Sequence, residues 1–451
     1  MQKRTFLTKD KSFYKNLVKL ALPMALQYAV SFFIILTNSI SIGRLGKKAT
    51  AEAYVGTLVF TVLQMLITGF EGGMTVASSR SWGERDNDKI TKITALGTAV
   101  IFLLGMLAAI LSFFFPTVFI SLFLREGSSS GGADYLKLLS LSFPFFCLSG
   151  ALGAAMKSIE SPKITAVSST AAFLINLALN YLLVFGKAGF PALGIKGSAI
   201  ATLIARICEL AIVLVYVFFI DKKLNMKPVD FIRFDRNGTF DFFKYTSPLV
   251  LAQLVWIINT LFASYLLSAL DSVEVVAALA VANTLYSLSY IVMNGTSGAV
   301  GIIVGKAIGE GEISKIKSYA YTTQLIFILL GLLTSAALLI VRNPFVSLYD
   351  IGENSASIAK SLISVLAVTV IGTSYQSACL TGLVKSGGDV SFILKNDAIF
   401  IFLIVIPLST VAFRFGAPVW LIFSALKSDQ LLKCIPAAIK INRFNWIKRL
   451  S

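Results

Sequence analysis

Long apolar segments alternate with short polar ones along the whole chain. Each apolar segment runs for roughly 20 residues, the length at which an α-helix crosses the hydrocarbon core of a bilayer. No polar stretch between them is long enough for a soluble domain. The pattern predicts an all-α integral membrane protein with about twelve transmembrane helices, near residues 17–43, 53–80, 92–118, 134–156, 163–186, 197–220, 243–270, 276–304, 316–341, 357–383, 391–413 and 416–439.

The second half of the sequence resembles the first half when it is shifted back by about 225 residues. Pro23 then aligns with Pro248, and Gly73 aligns with Gly298. Six helices return a chain to its starting side, so we expect two lobes related by a pseudo-twofold axis along the membrane normal. The predicted organisation is an N-terminal six-helix lobe at 1–220, a cytoplasmic linker at 221–242, a C-terminal six-helix lobe at 243–439 and a basic cytoplasmic tail at 440–451.

Composition supports a membrane protein, and charge predicts its orientation. Hydrophobic residues make up 56% of the chain and charged residues only 14%, far from the balance of soluble domains. The net charge of +17 would suit nucleic acid, but most Lys and Arg residues lie in loops on the side of the N-terminus. We therefore expect both termini in the cytoplasm, a plasma-membrane location, and basic loops that face lipid headgroups rather than nucleic acid.

The residues required by most enzymes are missing. The chain has no His, which excludes a Ser/His triad and His-ligated metal, and its 4 Cys residues are scattered in apolar segments. Residues 301–306 are similar to a phosphate-binding loop but are one residue too short. We expect neither an enzyme nor an ATP-driven pump, and no metal or cofactor beyond a coupling proton or sodium ion.

Four motifs spread over both halves resemble one transporter family. They are NSISIGRLG at 38–46, RSWGERD at 80–86, GIKGSAIAT at 194–202, and GLVKSGGD at 382–389 with Asp397 after it. Together they resemble the multidrug and toxic compound extrusion (MATE) family. The resemblance implies a secondary active efflux transporter, an antiporter that exports organic cations or other amphipathic compounds by alternating access. A proton or sodium gradient would drive it, and we expect a monomer with a small-molecule substrate.

Polar side chains inside the predicted helices supply candidate substrate contacts, because a polar group in hydrocarbon needs a partner or a wet cavity. Those of the N-terminal lobe fall where the family places a site, and Asn176 and Asn180 share one helix face. In the C-terminal lobe, an indole flanked by amides suits a flat cationic drug in a cleft between the lobes. The candidates are Asn38, Asn176, Asn180, Gln253, Trp256, Asn259 and Asn283.

Ion coupling requires an acid within the membrane, and two usual family acids are replaced. The family commonly has Asp where this chain has Asn38, and close relatives often have Glu where it has Gln253. Glu71 has no oppositely charged residue nearby in the sequence, and Asp397 matches an acid of the family pattern. Coupling is therefore assigned to Glu71 and Asp397.

Helical spacing assigns the two other intramembrane acids to ion pairs. Glu209 lies three residues after Arg206, and Asp429 lies four residues before Lys433. Because each acid has a partner on its own helix, we expect both pairs to be structural.

Two other functions stay open. A lipid-linked oligosaccharide flippase of the same superfamily would have a cavity lined with cationic residues, whereas the sequence places only Arg206 firmly at mid-membrane. A sensor or assembly protein that no longer transports would lose its coupling acids, as at Asn38 and Gln253. The polar side chains that remain inside the predicted helices favour the exporter over both alternatives.

Overall fold

A computed structural model describes residues 7–123, 130–232, 236–270, 272–349 and 351–448. Within these ranges the chain is helical and forms no β-sheet, as the apolar periodicity predicts. The helices are α1 Lys11–Gly43, α2 Lys47–Glu84, α3 Asn87–Phe114, α4 Pro116–Phe123, α5 Ser130–Ser140, α6 Phe143–Ser158, α7 Lys163–Phe185, α8 Ile195–Val215, α9 Arg236–Ser268, α10 Val273–Gly309, α11 Ile313–Val346, α12 Gly352–Gln376, α13 Val390–Phe400, α14 Ile406–Arg414, α15 Val419–Leu426, α16 Asp429–Leu432 and α17 Cys434–Asn442. Short π-helical segments prolong α8 through Tyr216–Ile220, α12 through Ser377–Val384 and α13 through Ile401–Val405.

Eleven helical segments among the described residues are long and apolar enough to cross a membrane. They correspond to the first eleven predicted spans and confirm the multi-helical membrane fold. The twelfth predicted span, 416–439, is not one long helix but the three short helices α15, α16 and α17.

Local hydrogen bonding explains why this last segment is interrupted. The Gln376 side-chain amide donates to the carbonyl of Asp429 at 3.0 Å and to that of Gln430 at 2.5 Å. Pro436 has no amide hydrogen to donate to the carbonyl four residues earlier. A side chain inserted into the helical ladder, together with a proline, is a usual cause of a broken helix.

The chain divides into two compact units. Residues up to Ala25 group with those from Leu251 onward, and Leu26–Val250 form the other unit. These limits differ from the predicted lobe limits of 220 and 243, because the beginnings of α1 and α9 each group with the opposite half of the sequence. Both boundaries divide a long helix, and their separation agrees with the shift of the internal repeat.

Close glycine contacts at equivalent repeat positions show how these helix beginnings pack. A Cβ on Gly298 would clash with the Met24 side chain of α1, and a Cβ on Gly73 would clash with Thr246 of α9. Each glycine therefore lets a helix beginning approach its own unit closely.

The predicted linker and tail contain more structure than their charge suggests. Residues 233–235 of the linker and 449–451 of the tail lie outside the described residues. In the linker, Lys223 donates to the carbonyl of Ile159 at 2.7 Å. In the tail, Trp446 is fully buried, and a Cβ on Gly387 would clash with its ring. The described part of the tail is therefore packed against the protein.

Candidate functional site

Four polar residues form a connected amide cluster in the unit Leu26–Val250. Asn180 donates to the side-chain oxygen of Asn38 at 2.9 Å and to that of Asn176 at 3.0 Å. Asn38 and Asn176 each approach the Thr202 hydroxyl at 3.3 Å. The structure thus brings together the three asparagines that the sequence selected, on α1 and α7, with Thr202 of α8.

Two small cavities lie in the same unit, and the first of them adjoins this cluster. The first, of about 60 Å³, is lined by Asn38 and Thr202 together with Phe60 and Tyr135. The second, of about 130 Å³, contains Glu71 in its lining. Both cavities share the side chains Ser31, Gln64 and Arg206. The cavity beside the amide cluster and the cavity beside Glu71 are therefore neighbours that share these side chains.

Glu71 faces a basic residue that the sequence did not reveal. The Lys157 ammonium of α6 lies 3.8 Å from a Glu71 oxygen, and both side chains are mostly buried. The expectation that Glu71 lacks an opposite charge applied only to residues near it in the sequence. In the fold, the partner comes from another helix.

Arg206 and Glu209 form the predicted ion pair. Their closest N and O atoms are 2.6 Å apart, and the Ser169 hydroxyl donates to the other Glu209 oxygen at 2.9 Å. The Arg206 guanidinium also lies 4.8 Å from the centroid of the Phe146 ring. With both oxygens and the cation engaged, this pair is suited to holding helices together.

A second charged cluster lies in the other unit. Lys433 is completely buried, and its ammonium lies 2.9 Å from Asp397 and 3.0 Å from Asp429. The indole N–H of Trp256 donates to Asp397 at 3.2 Å. The Lys433 ammonium lies 4.8 Å from the centroid of the Trp256 ring. The predicted pair of Asp429 with Lys433 is present, and Asp397 and Trp256 join it from α13 and α9.

The other candidate substrate contacts of this unit lie outside the charged cluster. Asn259 is buried, and its side-chain oxygen accepts no hydrogen bond among the described residues. Gln253 is half buried, and Asn283 is exposed. Trp256 itself is half buried with Lys433 over its ring, so part of its surface is already used by the protein.

Sequence reasoning missed three polar contributors. Lys157 and Gln376 lie far in sequence from the acids or carbonyls they contact, so no helical spacing reveals them. Lys433 was paired only with Asp429, because that partner is four residues away. Because Lys433 lies in an apolar segment, its charge could have predicted a second acid close to it in the fold.

A family model decides the relationship of this chain to known proteins. The MatE model matches residues 23–182 and 248–411, which is most of both halves. The chain belongs to the MatE family. This MatE-family chain is 25% identical over 352 residues to the probable multidrug resistance protein NorM of Neisseria meningitidis serogroup B, covering 77% of the chain and 76% of that protein. It is 22% identical over 433 residues to the uncharacterized transporter YisQ of Bacillus subtilis, covering 92% of the chain and 91% of that protein.

Solved structures share the fold of this MatE-family chain. A mutant of the Vibrio cholerae MATE transporter VcmN superposes with a TM-score of 0.87 at 17% identity, covering 97% of this chain and 98% of that one. The eukaryotic MATE transporter AtDTX14 gives 0.85 at 17% identity, covering 97% of each chain. The predicted family and the all-α membrane fold are therefore confirmed.

Proposed function

We propose that this MatE-family chain is a secondary active efflux transporter, an antiporter that exports organic cations or other amphipathic compounds by alternating access. The observation that carries the proposal is the family match over both halves, shared with relatives named as multidrug resistance proteins. A proton or sodium gradient drives export. The protein acts as a monomer in the plasma membrane, with no bound cofactor.

Substrate recognition is assigned to polar and aromatic groups in both units. The amide cluster offers donors and acceptors beside the aromatic rings of Phe60 and Tyr135. Such a lining suits a flat amphipathic compound, because rings supply contact area and a few polar groups fix orientation. The proposed substrate contacts are Asn38, Asn176, Asn180, Gln253, Trp256, Asn259 and Asn283.

Coupling is assigned to one acid in each unit. Glu71 lies in the wall of a cavity, and Asp397 is buried in a membrane helix. A gradient can drive transport only through a group that binds the ion differently in the two access states. A buried carboxylate can do so, because its charge is costly in hydrocarbon and is removed by a proton.

A lipid-linked oligosaccharide flippase would need a cavity lined with cationic residues. Arg80, Arg206 and Lys433 are all buried. However, Arg206, Lys157 and Lys433 each face a carboxylate within 4 Å. Their charges are compensated within the protein, which favours an uncharged or cationic substrate over a polyanionic lipid.

The test is uptake of a fluorescent organic cation, ethidium, into inverted vesicles under separately imposed proton and sodium gradients. We expect uptake with at least one gradient and none without either. Vesicles from cells carrying the empty vector are the control. Equal signals with and without the chain would refute export and leave the non-transporting alternative.

The proposed orientation places both termini and the linker in the cytoplasm. It follows from the excess of Lys and Arg in the loops on the side of the N-terminus. A cysteine introduced by Pro228→Cys should react with an impermeant maleimide only after the membrane is permeabilised. Reaction in intact cells would reverse the orientation.

A further inference from the structure

A groove lies between α12 and the interrupted last segment, within the unit that includes the residues from Leu251 onward. Its volume is about 720 Å³, within the range of about 300–1,000 Å³ that small-molecule sites occupy. One wall follows α12 from Ser361 to Thr369, and the other follows α15 and α16 from Trp420 to Leu432. The α12 wall is about 12 Å long, so the groove covers most of the depth of one bilayer leaflet, about 15 Å.

Hydroxyl groups line the groove, but their hydrogens are already used by the protein. Each hydroxyl donates to a backbone carbonyl three or four residues earlier in the chain, at 2.7 to 3.3 Å. They belong to Ser361, Ser364, Thr369, Ser424 and Ser428. The other lining side chains are aliphatic or aromatic, and Val368, Trp420 and Leu431 among them are exposed. Such a surface suits a hydrocarbon chain better than a sugar or a peptide, whose polar groups would lose water without gaining partners.

An arginine without an acidic partner stands beside this groove. The Arg342 guanidinium of α11 donates from Nη1 to the Ser364 hydroxyl at 2.7 Å. Its Nε–H is buried without an acceptor, and the guanidinium forms no ion pair, within the part of the chain that the structure describes. Lys360, one turn before Ser364 on α12, adds a second positive charge. The groove is therefore apolar along its length and cationic toward one end.

The contact with Ser364 distinguishes Arg342 from an ordinary arginine at a membrane interface. Arginines near helix ends usually extend into the headgroup region, where they meet many lipids in turn. Arg342 is instead half buried and held by a groove residue, so its charge stays at the wall. A buried donor without an acceptor is costly, and an anion at this position would offset that cost.

We propose that the groove binds one anionic phospholipid, with an acyl chain against α12, α15 and α16 and its phosphate beside Arg342. A phosphate matches a guanidinium in both charge and hydrogen-bonding geometry. An anionic lipid is favoured over a zwitterionic one, because Arg342 and Lys360 would repel the headgroup amine. In the proposed orientation this end of α11 faces outward, so the lipid comes from the outer leaflet.

The bound lipid acts on the least continuous part of the fold. Its chain contacts α12 on one side and the short helices α15 and α16 on the other, and it thereby stabilises their packing. None of the lining residues is a proposed substrate contact. The inference therefore goes beyond the proposed export and does not depend on it.

The test is lipid binding to delipidated protein in detergent, counted by native mass spectrometry. Dioleoyl phosphatidylglycerol is compared with dioleoyl phosphatidylcholine, which has the same chains. We expect one phosphatidylglycerol to bind at least about tenfold more tightly than phosphatidylcholine, and to raise the thermal midpoint. Glycerol 3-phosphate, which offers the phosphate without the chains, should leave the midpoint unchanged.

Three variants separate the groove from general attraction to headgroups. Arg342→Gln should weaken phosphatidylglycerol binding about tenfold, because a charge-assisted hydrogen bond is lost. Ser424→Phe should abolish the tight site by filling the groove, and the Ser424 hydroxyl that it removes bonds only to its own helix. Arg414→Gln is the matched control, since Arg414 is an exposed arginine in the last turn of α14 and does not line the groove. It should bind the lipid as the unaltered chain does.

Equal affinity for the two lipids would overturn the inference, as would midpoint stabilisation by glycerol 3-phosphate alone. Unchanged phosphatidylglycerol binding by folded Arg342→Gln or Ser424→Phe would also overturn it, and Ser424→Phe decides if Arg342→Gln does not fold. An equal loss with Arg414→Gln would mean diffuse attraction to headgroups and would contradict a built site. These measurements use neither a substrate nor a gradient, so failure of the proposed export would leave them unchanged.

Discussion

The Lys433 ammonium lies 2.9 Å from an Asp397 oxygen, although Asp397 is on α13 and Lys433 lies 36 positions later, between α16 and α17. Because Lys433 is fully buried, this contact holds the interrupted last segment against α13. Removing one partner of a buried ion pair costs about 3–5 kcal/mol, since the other charge is left uncompensated. The same contact thus stabilises the fold and places a charge where an exchangeable ion could act.

Glu71→Gln should slow gradient-driven export at least tenfold while substrate affinity stays within about twofold. The amide keeps the size of the side chain and a polar oxygen near the Lys157 ammonium, but it cannot carry a proton. Initial rates of ethidium uptake and equilibrium binding of ethidium give the two quantities. Glu84→Gln, an exposed change on the same helix, is the control. Full export by Glu71→Gln would remove this acid from coupling.

Asn38→Asp should make export depend on pH in a new way. The change places a titratable group where Asn180 donates at 2.9 Å. It also removes the amide donor that reaches Thr202 at 3.3 Å, so the ionised form has one bond fewer. The pH profile of the export rate, measured between pH 5 and pH 9, should show one more titration step than that of the unaltered chain. An unchanged pH profile would mean that Asn38 lies outside the transport cycle.

Trp256 can be examined with two substitutions that separate its roles. Trp256→Phe keeps a ring beneath the Lys433 ammonium but loses the N–H that Asp397 accepts. We expect it to fold normally and to alter coupling, whereas Trp256→Ala should weaken ethidium binding more than it lowers the amount of folded protein. Thermal midpoints and ethidium affinity are measured for both. If Trp256→Phe binds ethidium with unchanged affinity, the indole acts through Asp397 rather than by contact with the substrate.

The tail is held by a charge cluster that gives a pH prediction. Burial alone would raise the pKa of Asp389, but Lys440 at 2.5 Å and Lys448 at 2.9 Å outweigh it and lower the pKa below its ordinary value of 3.8. Because the pKa of Asp389 is lower in the docked tail than its ordinary value of 3.8, the contact stabilises docking fully above pH 3.8. This stabilisation is lost as the pH falls through the lowered pKa of the docked state.

Asp389→Asn should reproduce this loss at neutral pH. A partly exposed pair of this kind contributes about 1 kcal/mol, or roughly a fivefold change in the population of the undocked tail. Trypsin cleavage after Arg443, which is exposed, reports that population. Asp88→Asn, which removes an exposed ion pair elsewhere, is the control. Identical cleavage rates would show that this charge cluster does not hold the tail.

The helices and the amide cluster were accessible from sequence because both depend on local spacing. Apolar length predicts a membrane span, and residues four apart, such as Asn176 and Asn180, share a helix face. The ion pair of Arg206 with Glu209 follows from the same rule. The family resemblance then placed Asn38 beside these residues, and the hydrogen bonds confirm that proximity.

Contacts between distant helices were not accessible in this way. Lys157 reaches Glu71, and Lys433 reaches Asp397, only after the helices have packed. The interruption of the last span depends on Gln376, which comes from α12 and its π-helical continuation, and the docked tail depends on space beside Gly387. Helical periodicity contains no information on such pairs, because each is set by tertiary packing.

Exchange of substrate for a proton at Asp397 can be followed as proton movement that substrate drives. Proteoliposomes of purified protein, loaded with a pH-sensitive dye and free of a pH gradient, receive an inward gradient of ethidium. We expect protons to leave the vesicles as ethidium enters, and we expect Asp397→Asn to stop this movement while ethidium still binds. Ethidium entry without proton movement, or unchanged proton movement with Asp397→Asn, would contradict it.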